Sequence, residues 1–415
     1  MIRKVTSYIP MRLRIAFRNV FRHRGRTFLS VLMIVGAVTG LLLFRGFAEN
    51  TMMLLQRVEI EYETGHMQAA THDYWEQSPG KRSKFFIHDH KKIEAQAETH
   101  PELRSVSSRL SSFGLLSTGE ITVSAKALGI DVAKEASLFK NLMIREGSGL
   151  TPESKLETVL GVKLAKQLGV KVGDNVTLLG YTNDGVINAL DLTVRGIFLM
   201  GRDDIDKFLA FVPLKTVQLL LDTDDVESIT LRLKRDEDLM PMLKVFQGEF
   251  SKIDPRIETK DWHELSVFYR SVESFYRVQN RFISFILISL VLLGIINTVG
   301  MSIFERTGEI GTIRALGESE ASIISQFTLE GFILGMMGYI FGIILAFILG
   351  EFINYSHFRM VMPNATVDVP IGIRFVANSF LEAAVISVFT STVATWWPAV
   401  RASKMSIIDA LKRNV

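Results

Sequence analysis

The chain of 415 residues contains no cysteine. Disulfides, thiolate metal sites and lipid attachment at cysteine are therefore excluded, while the redox compartment stays open. The phosphate-cradling pattern G-x-x-x-x-G-K-[ST] is missing too, so no nucleotide site is predicted in this chain. Neither a nucleophile elbow nor a zincin motif occurs. Net charge is only +3, from 47 Lys and Arg against 44 Asp and Glu, which implies no preference for nucleic acid or an acidic substrate. Lys81-Arg82-Ser83-Lys84 is too short a basic run for nucleic acid and reads as a solvated loop. His88-Asp89-His90, with His66, His72 and His100, lack H-x-x-x-H spacing and read as surface histidines, not metal ligands.

What the chain has is long apolar runs. A hydrocarbon core about 30 Å thick takes roughly 20 helical residues at 1.5 Å each. Stretches 27–44, 282–304, 331–350 and 375–400 qualify, the last interrupted only by Glu382. The first run is preceded by 26 residues and lacks an A-x-A-like cleavage site, so it reads as a retained helix. Residues 1–26 hold Arg3, Lys4, Arg12, Arg14, Arg18, Arg22, Arg24 and Arg26 with no acid, and the tail adds Arg401, Lys404, Lys412 and Arg413 against Asp409. The positive-inside rule puts both ends in the cytoplasm, and four crossings permit that. The expected fold is an α-helical membrane protein with four transmembrane helices and a mixed α+β extracytoplasmic domain between the first two. The expected order is helix 1–26, span 27–44, stalks and outer domain 45–280, span 281–304, cytoplasmic helix 305–320, span 321–350, outer loop 351–374, span 375–400 and tail 401–415.

Local patterns fill in that frame. In 10–26, Leu13, Ala16, Phe17, Val20 and Phe21 share a helical face opposite Arg14, Arg18 and Arg22, as in a helix lying at the membrane surface among lipid headgroups. Phe47, Leu54 and Val58 continue the first span outward, and Leu265, Phe268, Val272 and Phe275 lead into the second, predicting two stalks. Between them, strands are expected over 121–128, 190–198 and 229–233, and a hairpin around Gly173-Asp174-Asn175. A helix is expected over 157–168, stopping at Gly169, and another over 213–221. Residues 72–84 and 181–189 read as loops. Gly331, Gly335, Gly338 and Gly342 form two small-xxx-small pairs for close helix packing. Of the two acids in or beside the membrane, Glu330 and Glu382, each reads as an interior contact or a gate polar group, or as a residue snorkelling at the boundary, and Glu330's place near the cytoplasmic edge favours snorkelling there.

After the second span, Ile310, Ile313 and Leu316 make a narrow apolar stripe, with Glu305, Arg306, Glu309 and Arg314 offering charge to a soluble partner. Gly317 stops that helix and Ser319 caps the next. The whole pattern 297–317 resembles the coupling segment of FtsX/MacB-like permeases of ABC transporters. Segments 13–29 and 398–411 resemble that family's amino-terminal helix and carboxy-terminal signature. Leu160-Gly161, Leu168-Gly169-Val170, Gly173-Asp174 and Val194-Arg195-Gly196-Ile197-Phe198 resemble its MacB-like periplasmic core. Gly65-His66-Met67-Gln68, and Gly196-Ile197-Phe198 followed by Asp203 and Asp206, look most like the lipoprotein-releasing, Lol-type permeases.

The resemblance implies a bacterial inner-membrane permease subunit without catalytic, cofactor or metal residues of its own. ATP and Mg would be handled by a cytoplasmic ABC ATPase, in two copies, acting on the coupling segment. A second permease subunit, identical or related, a periplasmic carrier or adaptor, and membrane lipids are the other implied partners; nucleic acid is not. Lipoprotein release is the implied activity. The alternatives are MacB-like export of peptides or small amphiphiles and FtsX-like activation of a cell-wall hydrolase. A membrane enzyme is disfavoured for want of a catalytic constellation.

Overall fold

A computed structural model describes residues 11–22, 24–76, 84–361 and 368–405. The basic residues Arg3, Lys4, Lys412 and Arg413, the signature beyond Met405, and Lys81-Arg82-Ser83 lie outside the described residues. The chain divides into a unit comprising Met1–Met53, Val272–Phe358 and Pro370–Val415, and a second comprising Leu54–Ser271 and Arg359–Val369.

Among the described residues, four helices are long and apolar enough to cross a membrane: Arg24–Glu63, Val267–Glu305, Glu320–Ser356 and Ala377–Ser403. In lipid every backbone polar group must be satisfied within the segment, which makes these runs helical. The first, second and third outrun their apolar stretches, as the stalk and coupling patterns predict. The second begins at Val267, so Leu265 belongs instead to a separate short turn, Trp262–Leu265. The fourth contains a π-helical turn, Val385–Phe389.

The glycine face of the third span is divided between two neighbours. A Cβ on Gly331 would lie 2.3 Å from Thr395 Oγ1, and one on Gly335 would lie 2.9 Å from Val388 Cα in the π turn. Gly338 and Gly342 instead abut Ile34 and Val38 of the first span, at 2.4 and 2.6 Å from a built Cβ. Gly335→Leu must therefore push backbone apart. We expect a loss of about 1–3 kcal/mol or more, read as a lower melting temperature of the purified protein; an unchanged melt would remove this packing role.

The amphipathic helix Met11–Arg22 divides its apolar stripe. Ala16 and Val20 are buried in the core of the membrane unit, which includes Phe327 and Ile333 of the third span, whereas Phe17 and Phe21 stay exposed. The small residues permit helix–helix approach and the large ones project outward.

Among its described residues, the second unit holds one ten-stranded sheet. Its strands are, in chain order, β1 (Met67–Thr71), β2 (Leu103–Ser117), β3 (Thr122–Ile130), β4 (Met143–Gly147) and β5 (Glu157–Gly161). After them come β6 (Asn175–Tyr181), β7 (Ile187–Leu199), β8 (Leu209–Pro213), β9 (Ser228–Leu233) and β10 (Ile257–Asp261). β2 spans roughly 50 Å at about 3.3 Å per residue and serves both halves of this sheet. Its second half closes the ring β2-β3-β8-β5-β7-β6, with β6 pairing back to β2 through Leu115–Ser117. Closure removes exposed strand edges and encloses Leu116, Ala127, Leu160, Val176 and Leu192. Its first half carries the antiparallel row β2-β9-β1-β10, packed with helices His90–Ala97 and Leu239–Ile253 around Met67, Ile93, Leu231, Phe246 and Phe250.

Three local expectations are corrected. Residues 157–161 are strand β5, and only Val162–Leu168 is helix. Thr158, Val159 and Leu160 are fully buried between β7 and β8, where β-branched residues fit a pleated central strand better than a helix. Lys171-Val172 forms no strand: Gly173 has φ +96°, and the Asp174 carboxylate accepts from the Lys171 N–H at 2.7 Å, closing a local turn. The hairpin lies one connection later, with β6 and β7 paired Tyr181 to Ile187, inside the stretch expected to be loop. The histidines are not all superficial. His66 is buried, its Nδ1 accepting from the Leu233 N–H at 3.1 Å while Nε2 lies 3.0 Å from Asp236. Burial pushes its pKa below the ordinary value, with Asp236 pulling the other way. His90 is buried as well.

Candidate functional site: the coupling segment and the stalk cap

The second span ends at Glu305, where Arg306 leaves helical geometry with φ −101° and ψ 14°. The helix that follows, Thr307–Ala315, is shorter than the expected 305–320. Gly317, at φ +99°, donates to the Arg314 carbonyl, and Glu318 N–H reaches Ile313 O at 3.3 Å, satisfying carbonyls at the helix end. Ser319 then accepts from Ser322 N–H and starts the third span, as its position predicts.

The charges on this segment are engaged by the chain's own helices. Arg306 is buried, with Nε 3.3 Å from Glu309 and Nη1 3.4 Å from Glu330, and it lies over the Phe327 ring. Glu330 also accepts from Asn19 of the amphipathic helix at 2.8 Å. It is thus an interior partner, correcting the snorkelling reading; Asn19 and Arg306 relieve the cost of withdrawing a carboxylate from water. Glu309 pairs with Arg22 at 2.8 Å, and Glu305 with Arg26. Burial works to raise the Glu309 pKa, but Arg22 and Arg306 outweigh it and hold the carboxyl below its usual range. Arg314 donates to Met405 O at 2.8 Å and pairs with Glu320 at 3.2 Å. The apolar stripe is split: Ile310 is buried, while Ile313 is 42% and Leu316 84% exposed. Of its apolar stripe, the tethered segment therefore shows Ile313 and Leu316 to solvent, beside the exposed Glu309, Thr312 and Ala315.

Within the membrane unit, Glu382 is bound by three residues. Arg45 lies 3.1 Å away, Asn280 donates at 3.2 Å and Ser284 at 3.3 Å.

The second unit contains a feature that sequence reading missed. The first long helix ends in a π turn, Glu59–Glu63, and a helix end leaves carbonyls without intrahelical partners. Two buried arginines take them. Arg109 of β2 donates to Glu63 O at 2.5 Å and Tyr62 O at 3.3 Å; Arg232 of β9 donates to Glu61 O at 3.0 Å and Ile60 O at 3.3 Å. Both pair with the fully buried Glu135, at 2.5 and 3.0 Å. Arg202 adds ion pairs to Glu59 and Glu63 at 2.8 Å and lies over the Phe268 ring of the returning stalk helix, 4.4 Å away. Positive charge at a helix C-terminus is favourable, and the result fixes the helix end to two strands. A signal was present: Arg109 and Arg232 interrupt the strand-like runs of β2 and β9, where a charge needs a partner.

Among the described residues, no cluster of three or more His, Asp or Glu is arranged to hold a metal ion.

Comparison with known proteins gives two family matches: a MacB-like periplasmic core domain over residues 27–242 and an FtsX-like permease C-terminal region over 281–407. The lipoprotein-releasing system transmembrane protein LolC of Xylella fastidiosa is 25% identical over 79% of this chain and 82% of its own length. A macrolide export ATP-binding/permease protein MacB of Nitrobacter winogradskyi is 26% identical over 69% of this chain and 44% of its own. Among solved structures, the periplasmic region of MacB from Actinobacillus actinomycetemcomitans matches at TM-score 0.37 and 17% identity, covering 50% of this chain and 92% of that one.

Proposed function

The chain belongs to the FtsX/MacB-like family of ABC transporter permeases, and from that premise we propose that it is the permease subunit of a complex releasing lipid-anchored proteins from the bacterial inner membrane. The observation that carries this reading is the tethered segment Thr307–Ala315 with Ile313 and Leu316 bare. Aliphatic side chains held in water by a network of ion pairs suit the docking of a separate ATPase, which would supply the nucleotide and Mg chemistry. Because Arg306, Glu309 and Arg314 tie this segment to the amphipathic helix, the third span and the chain just past the fourth, a push on it moves the spans as a body. The positive-inside rule, applied to Arg14, Arg18, Arg22, Arg24 and Arg26, puts these ends in the cytoplasm and the stranded unit outside.

The stalk cap supports a lever: a helix whose end is bolted to two strands transmits displacement rather than fraying. Two ATPase copies and a second permease complete the assembly. In support of the pair, the second span leaves Phe282, Phe285 and Leu293 exposed along its length. The extent of the LolC match favours lipoprotein as cargo, while the MacB relatives favour export of peptides or small amphiphiles as a second reading.

Reconstitution tests this. Proteoliposomes carrying the permease pair, its ATPase and a triacylated reporter lipoprotein should release the reporter to an acceptor on ATP addition. Normal ATP hydrolysis without release, but with efflux of an amphiphile, would transfer the assignment to the export reading.

A further inference from the structure

Two neighbouring hollows in the membrane unit meet at Phe21. One, of about 600 Å³, is lined by Arg24, Thr27, Phe28, Val31, Leu32 and Val35, with Met337 and Phe341 of the third span. The other, of about 660 Å³, is formed by Phe17, Arg18, Asn19, Phe21 and Arg22. From Arg24 to Val35 the helix rises roughly 17 Å at 1.5 Å per residue, close to half of a hydrocarbon core about 30 Å thick. The first hollow is thus a one-leaflet apolar groove with a guanidinium at its end, and the second adds cations beside that end.

The arginines there fall into two groups. Arg22 and Arg26 are paired with Glu309 and Glu305. Arg18 and Arg24 are exposed and have no ion pair among the described residues. An acyl-length groove ending at unengaged cations is complementary to one chemical class. We infer that this groove binds an anionic phospholipid, its acyl chain lying along Phe28, Leu32 and Phe341 and its phosphate beside Arg18 and Arg24. The bound lipid bridges the amphipathic helix, the first span and the third span. It thereby buttresses the helix whose Asn19 and Arg22 hold Glu330 and Glu309. A second permease copy is the competing occupant, but its apolar helix would have to bury both arginines without a counter-charge, whereas a phosphate supplies one.

This inference depends on the helices lying in a bilayer and not on the identity of the cargo, so a failure of lipoprotein release leaves it standing. The full chain is reconstituted into vesicles of equal phosphatidylglycerol and phosphatidylcholine, re-extracted in mild detergent, and its retained lipid measured by mass spectrometry. Phosphatidylglycerol should be enriched on the unaltered protein. The enrichment should fall roughly thirtyfold in the double variant Arg18→Gln, Arg24→Gln, taking a few-fold per arginine near a lipid surface. It should also be lost in Leu32→Trp, which fills the groove and keeps both arginines. Loss in Leu32→Trp alone would overturn the anionic selection, and equal retention in all three proteins would overturn the site. With no native cysteine, Leu32→Cys is a clean reporter: ready disulfide linkage between two copies would give the groove to the second permease and overturn the proposal.

Discussion

Replacing Ile313 and Leu316 together by aspartate should leave the protein folded and abolish its association with the ATPase. Both side chains are largely in solvent, 42% and 84% exposed, so nothing in the chain's own core is lost. Burying two aliphatic side chains at a partner surface contributes about 1.5–3 kcal/mol each, so their loss predicts a weakening of roughly a hundredfold or more. Glu309→Gln should behave differently. Glu309, though exposed, is engaged by Arg22 and Arg306, so its loss should loosen the tether, leaving association largely intact while ATP hydrolysis no longer drives release. Co-purification of the ATPase together with ATP turnover separates the two outcomes. Undiminished binding by the aspartate pair would sink the docking role of this face.

The second large effect is expected at Glu135. Glu135→Gln leaves Arg109 and Arg232 buried beside each other, both bonded to the stalk carbonyls but without their shared ion-pair partner. Breaking a buried ionic group by removing one partner costs about 3–5 kcal/mol. For a unit of this size that is a drop of about 6–20 °C in melting temperature. The sign of the pH dependence follows from the same cluster. Burial works to raise the Glu135 pKa, but Arg109 and Arg232 overcome it and bring the carboxyl down to about 2 from an ordinary 4.5. A folded-state pKa below the unfolded one gives stabilisation that is fully present above about pH 4.5 and is lost as pH falls toward 2. The unaltered protein should therefore lose stability over that window, and Glu135→Gln should show a flatter profile from a lower starting point. Thermal unfolding followed by tryptophan fluorescence at several pH values checks both. Coincident curves for the two proteins would dismiss the cap as a source of stability.

Much of the architecture was legible in residue order. Apolar runs of bilayer length require helices, because lipid leaves the backbone no other partner, and this holds whatever surrounds them. Gly317 and Ser319 announced a helix stop and start because those signals are local. Where local preference competed with context, the reading failed. Residues 157–161 carry spacing compatible with a helix, yet β7 and β8 on either side claim them for a strand. The charged stripe of the coupling segment looked available because its partners, Arg22, Arg26 and Glu330, lie elsewhere in the chain and face it only after folding.

The sequence alone determined which runs form long apolar helices, where the stranded unit is inserted and where Gly317 and Ser319 stop one helix and start the next, since hydrophobic length and capping depend on neighbours in the chain. Only the tertiary structure decided which charges are engaged and which face is left bare. It also decided that Gly331 and Gly335 meet the fourth span while Gly338 and Gly342 meet the first, and that the stalk helix ends on Arg109 and Arg232. Those are contacts between residues up to hundreds of positions apart, and no local preference encodes which of many possible partners a side chain will meet.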